Sequence, residues 1–304
     1  MKTGKLVNKV AIVSGSSQGI GKAIARGLCQ QGVDVVLNGR DVVKLQKTKS
    51  EFQAEGYSVT SCAANIRFPQ SAAKLVNHAI KPFGKLDIVV CNAGVSSKGA
   101  VEESVASNFK ILVETNYLGS VYLSKYAIPY LKKTRGHIIL INSVGGMRGM
   151  PYNSAYTSSK MAQTALGQAL QVELYDFGIH VGILYVGFTI NDPNKKILDI
   201  DGSWHLLPRR TNINLTKPES VAYSVIRMIE HRRKQATLTL LGHFTYFMTH
   251  FLPRLSHWVA IWSRHLIRDQ FTFIEEPEEV KLQPRNEEVR VDQNKYQHED
   301  STLS

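Results

Sequence analysis

The sequence predicts an α/β fold, a doubly wound parallel sheet in a single domain that is followed by a helical C-terminal extension. Two patterns carry this prediction. Short runs of apolar, β-branched residues alternate with segments of helical periodicity, and a glycine-rich turn follows the first run. Composition agrees, because 43% of the 304 residues are hydrophobic and 20% are charged, as in soluble chains with a large core.

Six strands are predicted in chain order. They cover residues 10–13, 33–37, 58–63, 86–90, 137–142 and 180–184. The first is wholly apolar, which is typical of a strand covered by helices on both faces of its sheet. Residues 23–28 and 44–52 have helical spacing and lie between successive strands. This alternation indicates βαβ units and therefore parallel pairing.

The chain divides into three parts by composition. Residues 5–245 carry the alternating pattern and are predicted to form one Rossmann-type domain. Residues 246–274 form an aromatic and basic amphipathic extension, and residues 275–304 are polar, with nine acidic and four basic side chains. This tail lacks hydrophobic periodicity and is predicted to be disordered. It holds a net charge of −5 within a total of +12, so the first 274 residues carry +17.

Several classes of function are disfavoured by composition. No Lys/Arg tract is interleaved with aromatics, so no nucleic-acid partner is expected. Cys29, Cys62 and Cys91 form no Cys-x-x-Cys pair, which predicts buried thiols with neither a metal site nor a disulfide framework. No secretory signal and no uninterrupted apolar stretch of about 18 residues is visible, and a cytoplasmic protein is expected.

The glycine-rich turn after the first strand predicts a dinucleotide site. It has the spacing Gly-x-x-x-Gly-x-Gly and consists of Gly15, Ser16, Ser17, Gln18, Gly19, Ile20 and Gly21. Such glycines let the backbone approach a pyrophosphate, whose charge then lies at a helix N-terminus. A plain tight turn between strand and helix is the alternative, but the position after the first strand favours the dinucleotide.

The end of the second predicted strand bears on which dinucleotide is bound. An acidic residue there would bind the ribose 2′-hydroxyl of NAD(H), whereas an arginine accommodates the 2′-phosphate of NADP(H). The strand is followed by Asn38, Gly39 and Arg40, without a carboxylate at the first two positions. A guanidinium grips a phosphate with two hydrogen bonds. NADP(H) is therefore preferred and NAD(H) is the alternative, as is a solvated Arg40.

Three residues further along have the chemistry of proton transfer. Ser143 closes the fifth predicted strand, and Tyr156 and Lys160 follow at helical i and i+4 positions, where they share one face. A free tyrosine has a pKa near 10, and an adjacent ammonium would lower it. With a serine hydroxyl to hold a substrate oxygen, the set is suited to proton exchange with an alcohol or carbonyl.

At this point the sequence resembles the short-chain dehydrogenase/reductase family over most of residues 5–245. The matching pieces, in the family's order and spacing, are the turn at 15–21, Asn92, Ala93, Gly94, Asn116, Ser143, Tyr156 and Lys160. The resemblance implies that Tyr156 is the general acid or base and that Ser143 polarises the carbonyl. It implies that Lys160 lowers the Tyr156 pKa and holds the nicotinamide ribose, and that Asn116 helps hold a water in the proton relay.

The resemblance also implies further cofactor contacts. They involve Asn65, Ile66, Asn92, Ala93, Gly94, Gly187 and Thr189, together with Tyr156 and Lys160. Some positions depart from the family's pattern. Ser14 replaces the usual threonine, Asn65 the usual aspartate and Val186 the usual proline, while Cys91 replaces a common asparagine and is expected in the core. None of these departures removes a catalytic group.

The function expected from these features is an NADP(H)-dependent oxidoreductase for a ketone or secondary alcohol. A catalytically idle dinucleotide-binding scaffold is the alternative, and an epimerase or dehydratase is disfavoured by the lack of a large substrate domain. A loop and helix expected from Phe188 to about Leu215 are rich in apolar residues. They indicate a hydrophobic substrate, and packing of the lid itself is an equal alternative. A homo-oligomer is expected.

Residues 237–274 combine aromatic and basic side chains. Residues 227–268 hold seven Lys/Arg and one acid, Glu230. A helix lying in a membrane interface has this composition, so peripheral contact at the cytoplasmic face of a membrane and a lipid-borne ketone are one interpretation. A spanning helix fits less well, because His250, Arg254 and His257 would enter hydrocarbon. Burial against the sheet and dimerisation are the alternatives.

Overall fold

The computed structural model describes residues 6–193, 195–207 and 215–267. Its strands are β1 (Val10–Val13), β2 (Asp34–Gly39), β3 (Val59–Ala63), β4 (Ile88–Cys91), β5 (His137–Ser143), β6 (His180–Val186), β7 (Lys196–Leu198), β8 (Trp204–Leu206) and β9 (Gln235–Thr237). Seven of them form a parallel sheet in the order β3-β2-β1-β4-β5-β6-β9. The strand order reverses between β1 and β4. This topological switch point is where such sheets bind ligands.

Helices cover both faces of the sheet. They are α1 (Gly19–Gln30), α2 (Val42–Ala54), α3 (Pro69–Phe83), α4 (Ala106–Leu112), α5 (Gly119–Thr134), α6 (Ser154–Glu173), α7 (Pro218–His231), α8 (Leu240–Phe251) and α9 (Pro253–Trp262). One apolar layer joins the sheet to α1, α2 and α7, and the other joins it to α3, α5 and α6. The predicted doubly wound Rossmann-type fold is therefore confirmed.

All six predicted strands are present, with ends that differ by a few residues at most. The seventh strand, β9, was not predicted, because it is three residues long and carries only one apolar side chain. Its pairing with β6 places it at the sheet edge. Cys29, Cys62 and Cys91 are buried free thiols, as expected.

A hairpin stands where a loop and helix were expected after Phe188. Strands β7 and β8 pair antiparallel, and within the described part of 188–215 there is no helix. The reason is a tight turn from Asp199 to Gly202, in which the Gly202 N–H donates to the Asp199 carbonyl at 3.1 Å and Gly202 has φ +86°. An aspartate followed three residues later by glycine is a turn signal that outweighs the apolar content of the segment.

The C-terminal segment also differs from its expected boundary. Helix α8 begins at Leu240 and continues to Phe251, so the boundary expected at residue 245 falls inside a helix. Residues 268–274 and the acidic tail 275–304 lie outside the described residues. None of the helices that the structure describes is long and apolar enough to cross a membrane.

Two histidines face each other at the beginning of β5 and β6, at the edge of the sheet remote from the glycine-rich turn. His137 Nδ1 lies 3.1 Å from His180 Nδ1, and His180 Nε2 lies 2.9 Å from the Arg233 carbonyl. Since a carbonyl only accepts, His180 donates from Nε2 and its Nδ1 accepts from His137. Burial, followed by the neighbouring charge of His180, lowers the His137 pKa to about 3.

We expect this pair to make folding sensitive to acid. In the unfolded chain His137 takes up a proton below pH 6.5, whereas in the folded chain it stays neutral down to about pH 3. The unfolded state then binds more protons, so the free energy of unfolding falls as pH drops, by up to roughly 1.4 kcal/mol per pH unit from this residue. Urea unfolding between pH 7.5 and pH 5 should show a shallower fall in His137→Gln than in wild type. Equal slopes would contradict the assignment.

Candidate active site

A cavity of about 1190 Å³ opens at the carboxyl ends of the central strands. The residues predicted for the site that line it are Gly15, Ser17, Gln18, Gly19, Ile20, Gly21, Arg40, Asn65, Ile66, Asn92, Ala93, Gly94, Ser143, Tyr156, Lys160, Gly187 and Thr189. Parallel strands bring residues that are far apart in sequence to one edge of the sheet. Asn116 is the one predicted site residue that lies outside the cavity lining.

The glycine-rich turn holds its shape through close backbone approach. Gly15 and Gly19 have φ of +64° and +56°, a region that side chains disfavour. Gly21 leaves no room for a side chain, because a Cβ there would stand 2.2 Å from the Gly15 carbonyl oxygen. Helix α1 then begins with Gln18 as its N-cap, and this residue makes no side-chain capping bond. The first N–H groups of α1 are thus directed at the cavity without a side-chain cap.

The neighbouring strands brace this turn. Ser14 Oγ accepts hydrogen bonds from the Asn92 and Ala93 N–H groups, each at 3.0 Å. The serine therefore makes the hydroxyl contacts that a threonine at this position could make. Asn92 Nδ2 donates to the carbonyls of Ser14 at 2.9 Å and Gly15 at 3.1 Å. Asn38, at the end of β2, is buried and bonds to the Cys62 and Ala64 carbonyls. Its fold-bracing role was not predicted, although a buried asparagine at a strand end is a usable signal.

Basic side chains lie beside the end of β2. Arg40 and Lys44 line the cavity, and among the described residues Arg40 forms no salt bridge. Asp41 also lines it, but its carboxylate accepts the Lys44 N–H at 3.0 Å and so caps α2. Gly39 permits the approach of Ser17, whose Oγ would lie 3.1 Å from a Cβ at that position. The end of the cavity beside β2 therefore carries positive charge and a hydroxyl group.

Ser143 and Tyr156 meet at the opposite end of the cavity. Ser143 ends β5, and its Oγ accepts the Gly145 N–H at 3.2 Å. Tyr156 projects from the first turn of α6. Burial raises the pKa of the Tyr156 phenol, and a hydrogen bond with Ser143 partly offsets the rise. At neutral pH the phenol therefore carries its proton.

Lys160 is buried under the tyrosine, one turn further along α6. Its Nζ donates to the Ile141 carbonyl at 2.9 Å and to Gln163 Oε1 at 3.1 Å. Burial, and secondly the positive charge of Lys195, lowers the Lys160 pKa to about 7. The expected lowering of the Tyr156 pKa by Lys160 is not seen. The lysine hydrogen-bonds to these two oxygens instead, and burial is the largest influence on the pKa of the phenol.

Asn116 has a different environment from the one expected. It lies in a π-helical segment, Val113–Leu118, between α4 and α5. Its Oδ1 accepts the Val95 N–H at 2.8 Å, and its Nδ2 donates to the Val95 carbonyl and to Ser159 Oγ, each at 2.9 Å. The side chain thus ties the loop after β4 to α6, with both its amide oxygen and its amide nitrogen engaged in hydrogen bonds.

The structure adds residues that the sequence analysis missed. Gln163 is fully buried, accepts from Lys160 and donates to Ser120 Oγ at 2.8 Å. Asn142 Nδ2 donates to the Lys160 carbonyl at 3.0 Å. A polar residue three positions after a buried lysine on the same helix is the signal that could have found Gln163. These contacts hold the lysine in place.

The donor set fits an anionic dinucleotide. The uncapped start of α1 supplies N–H groups for a pyrophosphate, and Ser17, Arg40 and Lys44 supply a hydroxyl and two cations near it. Arg148, Lys195 and Lys196 add positive charge to the lining, and the carboxylates among the described lining residues are those of Asp41 and Asp192. Among the described residues no cluster of side chains could hold a metal ion.

Comparison with known proteins agrees with this geometry. The family model for short chain dehydrogenase matches residues 9–199. Dehydrogenase/reductase SDR family member 7B of Danio rerio is 31% identical over 245 residues, which are 78% of this chain and 79% of the relative. The 11-beta-hydroxysteroid dehydrogenase A of Sesamum indicum is 28% identical over 269 residues, 84% of this chain and 75% of the relative.

Among solved structures, an alcohol dehydrogenase from the archaeon Thermococcus sibiricus, complexed with 5-hydroxy-NADP, matches with a TM-score of 0.67 and 28% identity. The match covers 76% of this chain and 95% of that one. A short-chain dehydrogenase from Streptomyces avermitilis has a TM-score of 0.71 at 22% identity, over 85% of this chain and 97% of that one, and shows the fold alone. The chain belongs to the short-chain dehydrogenase/reductase family, and it is an NAD(P)-dependent oxidoreductase acting on CH–OH and C=O groups.

Proposed function

We propose that this chain is an NADPH-dependent reductase of hydrophobic ketones, with Tyr156 as the general acid. The observation that carries the proposal is the protonated, partly buried Tyr156 phenol bonded to Ser143 at one end of a cavity whose other end is cationic. When bound, NADPH supplies the hydride. All other parts of the reaction fall to side chains of the chain itself.

Each catalytic side chain has a separate task. Ser143 holds the carbonyl oxygen, and its hydroxyl is oriented by the Gly145 N–H. Tyr156 gives that oxygen its proton, because burial keeps the phenol protonated until negative charge develops beside it. Lys160, with a pKa of about 7, is held by Ile141 and Gln163 within reach of the cavity lining. In alcohol oxidation the same groups act in reverse, with Tyr156 as the base.

Arg40 supports the preference for NADP(H). Its guanidinium, which forms no salt bridge with any residue that the structure describes, lines the cavity together with Ser17 and Lys44, a suitable environment for a 2′-phosphate. Charge-assisted hydrogen bonds are worth roughly 1.5–3 kcal/mol. Arg40→Ala should therefore weaken NADPH binding by about ten- to a hundredfold and leave NADH binding nearly unchanged.

Fluorescence titration of both reduced cofactors tests this prediction. Lys47→Ala serves as the control, since Lys47 is an exposed cation on α2, the helix that follows Arg40, and does not line the cavity. Equal affinity of the wild type for NADPH and NADH, or the same ratio in Arg40→Ala, would refute the preference.

The hydrophobic substrate rests on the hairpin and the loop after β5. Ile197 and Leu198 are buried within the fold, so part of the apolar content expected over the site serves packing. Trp204 and Leu207 line the cavity, together with Met150. A screen of aliphatic, cyclic and steroid ketones, in which the loss of NADPH absorbance measures turnover, would identify the substrate class. Turnover confined to small polar carbonyls would contradict the proposal.

We also propose a cytoplasmic homo-oligomer that contacts a membrane through residues 237–274. The exposed aromatic side chains of α8 and α9 support the membrane contact. The idle-scaffold alternative is disfavoured, since the acid, the serine and the lysine all meet at one cavity.

A further inference from the structure

Helices α8 and α9 turn most of their large apolar side chains away from the rest of the domain. The less exposed positions on α8 are Gly242, Thr245, Met248 and Thr249, and on α9 they are Ser256 and Ala260. The large apolar residues project outward. The outer face, called here the C-terminal apolar face, consists chiefly of Phe244, Phe247, Phe251, Leu255, Trp258 and Trp262, which are 46–70% exposed.

This arrangement decides one alternative left open by the sequence. A helix buried against its own domain turns its large apolar side chains inward. Here Trp258 is 61% exposed and Trp262 70%, and no residue of α9 is buried. Large apolar side chains exposed together on two consecutive helices mark a docking site for another molecule.

Charge indicates what that molecule is. Residues 240–267 contain two arginines, Arg254 and Arg264, and four histidines, and they contain no Asp or Glu. A second copy of the same face would bring cations against cations, with no acidic side chain to neutralise them. Anionic lipid headgroups supply the missing negative charge, and Trp and other aromatic rings favour the level of the headgroups. A bilayer surface therefore suits the face better than a second copy.

The same helices touch the catalytic cavity. Thr245, on the inner side of α8, lines the cavity. Arg148, which also lines it, donates a hydrogen bond to Ser256 on the inner side of α9. Lipid docking on the outer side would thus hold the cavity wall next to the membrane.

We propose that the C-terminal apolar face docks on an anionic bilayer and that the enzyme takes a membrane-dissolved ketone directly into its cavity. The second half rests on the proposed reductase function, and the first does not. A substrate delivered in this way avoids transfer through water, whose cost grows with each exposed methylene.

Vesicle co-sedimentation tests the docking without any turnover. Wild type should bind vesicles of equal parts phosphatidylcholine and phosphatidylserine at low salt, and bind pure phosphatidylcholine less. The double variant Trp258→Glu/Trp262→Glu should lower the bound fraction at least about tenfold, because it replaces interfacial rings with anions. Tyr175→Glu is the control, since Tyr175 is 71% exposed in the turn that follows α6 and lies outside α8 and α9. Its binding should equal that of wild type.

Two outcomes would overturn the docking. One is wild-type protein that stays in the supernatant at low salt. The other is a dimer, measured by sedimentation equilibrium, that the double variant converts to monomer while vesicle binding is absent from both. The second result would assign the face to a second copy of the chain.

Delivery is tested with a matched pair of ketones. Undecanone dissolved in the vesicles should be reduced about tenfold more slowly by the double variant, whereas butanone in water should be reduced equally by both proteins. Equal rates on undecanone would overturn delivery. If neither ketone nor any of the screened carbonyls is reduced, the reductase function fails while vesicle binding still tests docking.

Discussion

Tyr156→Phe is expected to lower kcat by about a hundred- to ten-thousandfold, which is the contribution of a positioned general acid. The ring that lines the cavity is retained, and only the transferable proton and the bond to Ser143 are lost. NADPH affinity should therefore stay within a few-fold of wild type. Steady-state kinetics on a ketone identified by the screen, with fluorescence titration of NADPH, measures both quantities.

Tyr152→Phe provides the control for that experiment. Tyr152 is half-buried, four residues earlier, and it does not line the cavity. Its variant should keep wild-type kcat. If Tyr156→Phe retained more than a tenth of the wild-type rate, another group would have to be the acid.

Gly21→Ala is expected to weaken NADPH binding by at least about a hundredfold, because two or more charge-assisted bonds to the turn would be lost. The added Cβ would stand 2.2 Å from the Gly15 carbonyl oxygen and 2.4 Å from Asn92 Nδ2, so the turn must open. Isothermal titration with NADPH measures the loss, and thermal melting separates it from overpacking, which costs about 1–3 kcal/mol of stability.

The control for this change is Gly149→Ala, where an added Cβ meets no atom within 4 Å. That variant should bind NADPH as wild type does. An affinity of Gly21→Ala within about fivefold of wild type would mean that the cofactor does not depend on this turn.

Much of the sheet was predictable because buried parallel strands are short apolar runs. Val10–Val13 is buried at all four positions, and its sequence, Val-Ala-Ile-Val, shows this directly. Strand β9 escaped prediction since its three residues, Gln-Ala-Thr, have no apolar pattern and pair only through backbone bonds to β6. The hairpin at Lys196–Leu206 was not predicted, because the apolar residues on both sides of the turn Asp199–Ile–Asp–Gly202 suggest a lid helix.

The site was predictable in its members and less so in its electrostatics. The glycine-rich turn, the serine at a strand end and the Tyr–Lys spacing together predicted the set Ser143, Tyr156 and Lys160, and the structure places all three at one cavity. The direction of the Tyr156 pKa was not predictable, since it depends on how deeply the phenol lies and on what Lys160 contacts instead. Both are properties of packing between elements.

By itself the sequence determined the alternation of strands and helices, the glycine turn and which side chains are candidates for the reaction, because these depend on local pattern and residue chemistry. Only the tertiary structure decided which groups contact Lys160 and that the Asn116 side chain hydrogen-bonds to the Val95 backbone. It also decided that the aromatic side chains of α8 and α9 point outward. Those facts depend on burial and on contacts between residues distant in the chain, and no local pattern records them.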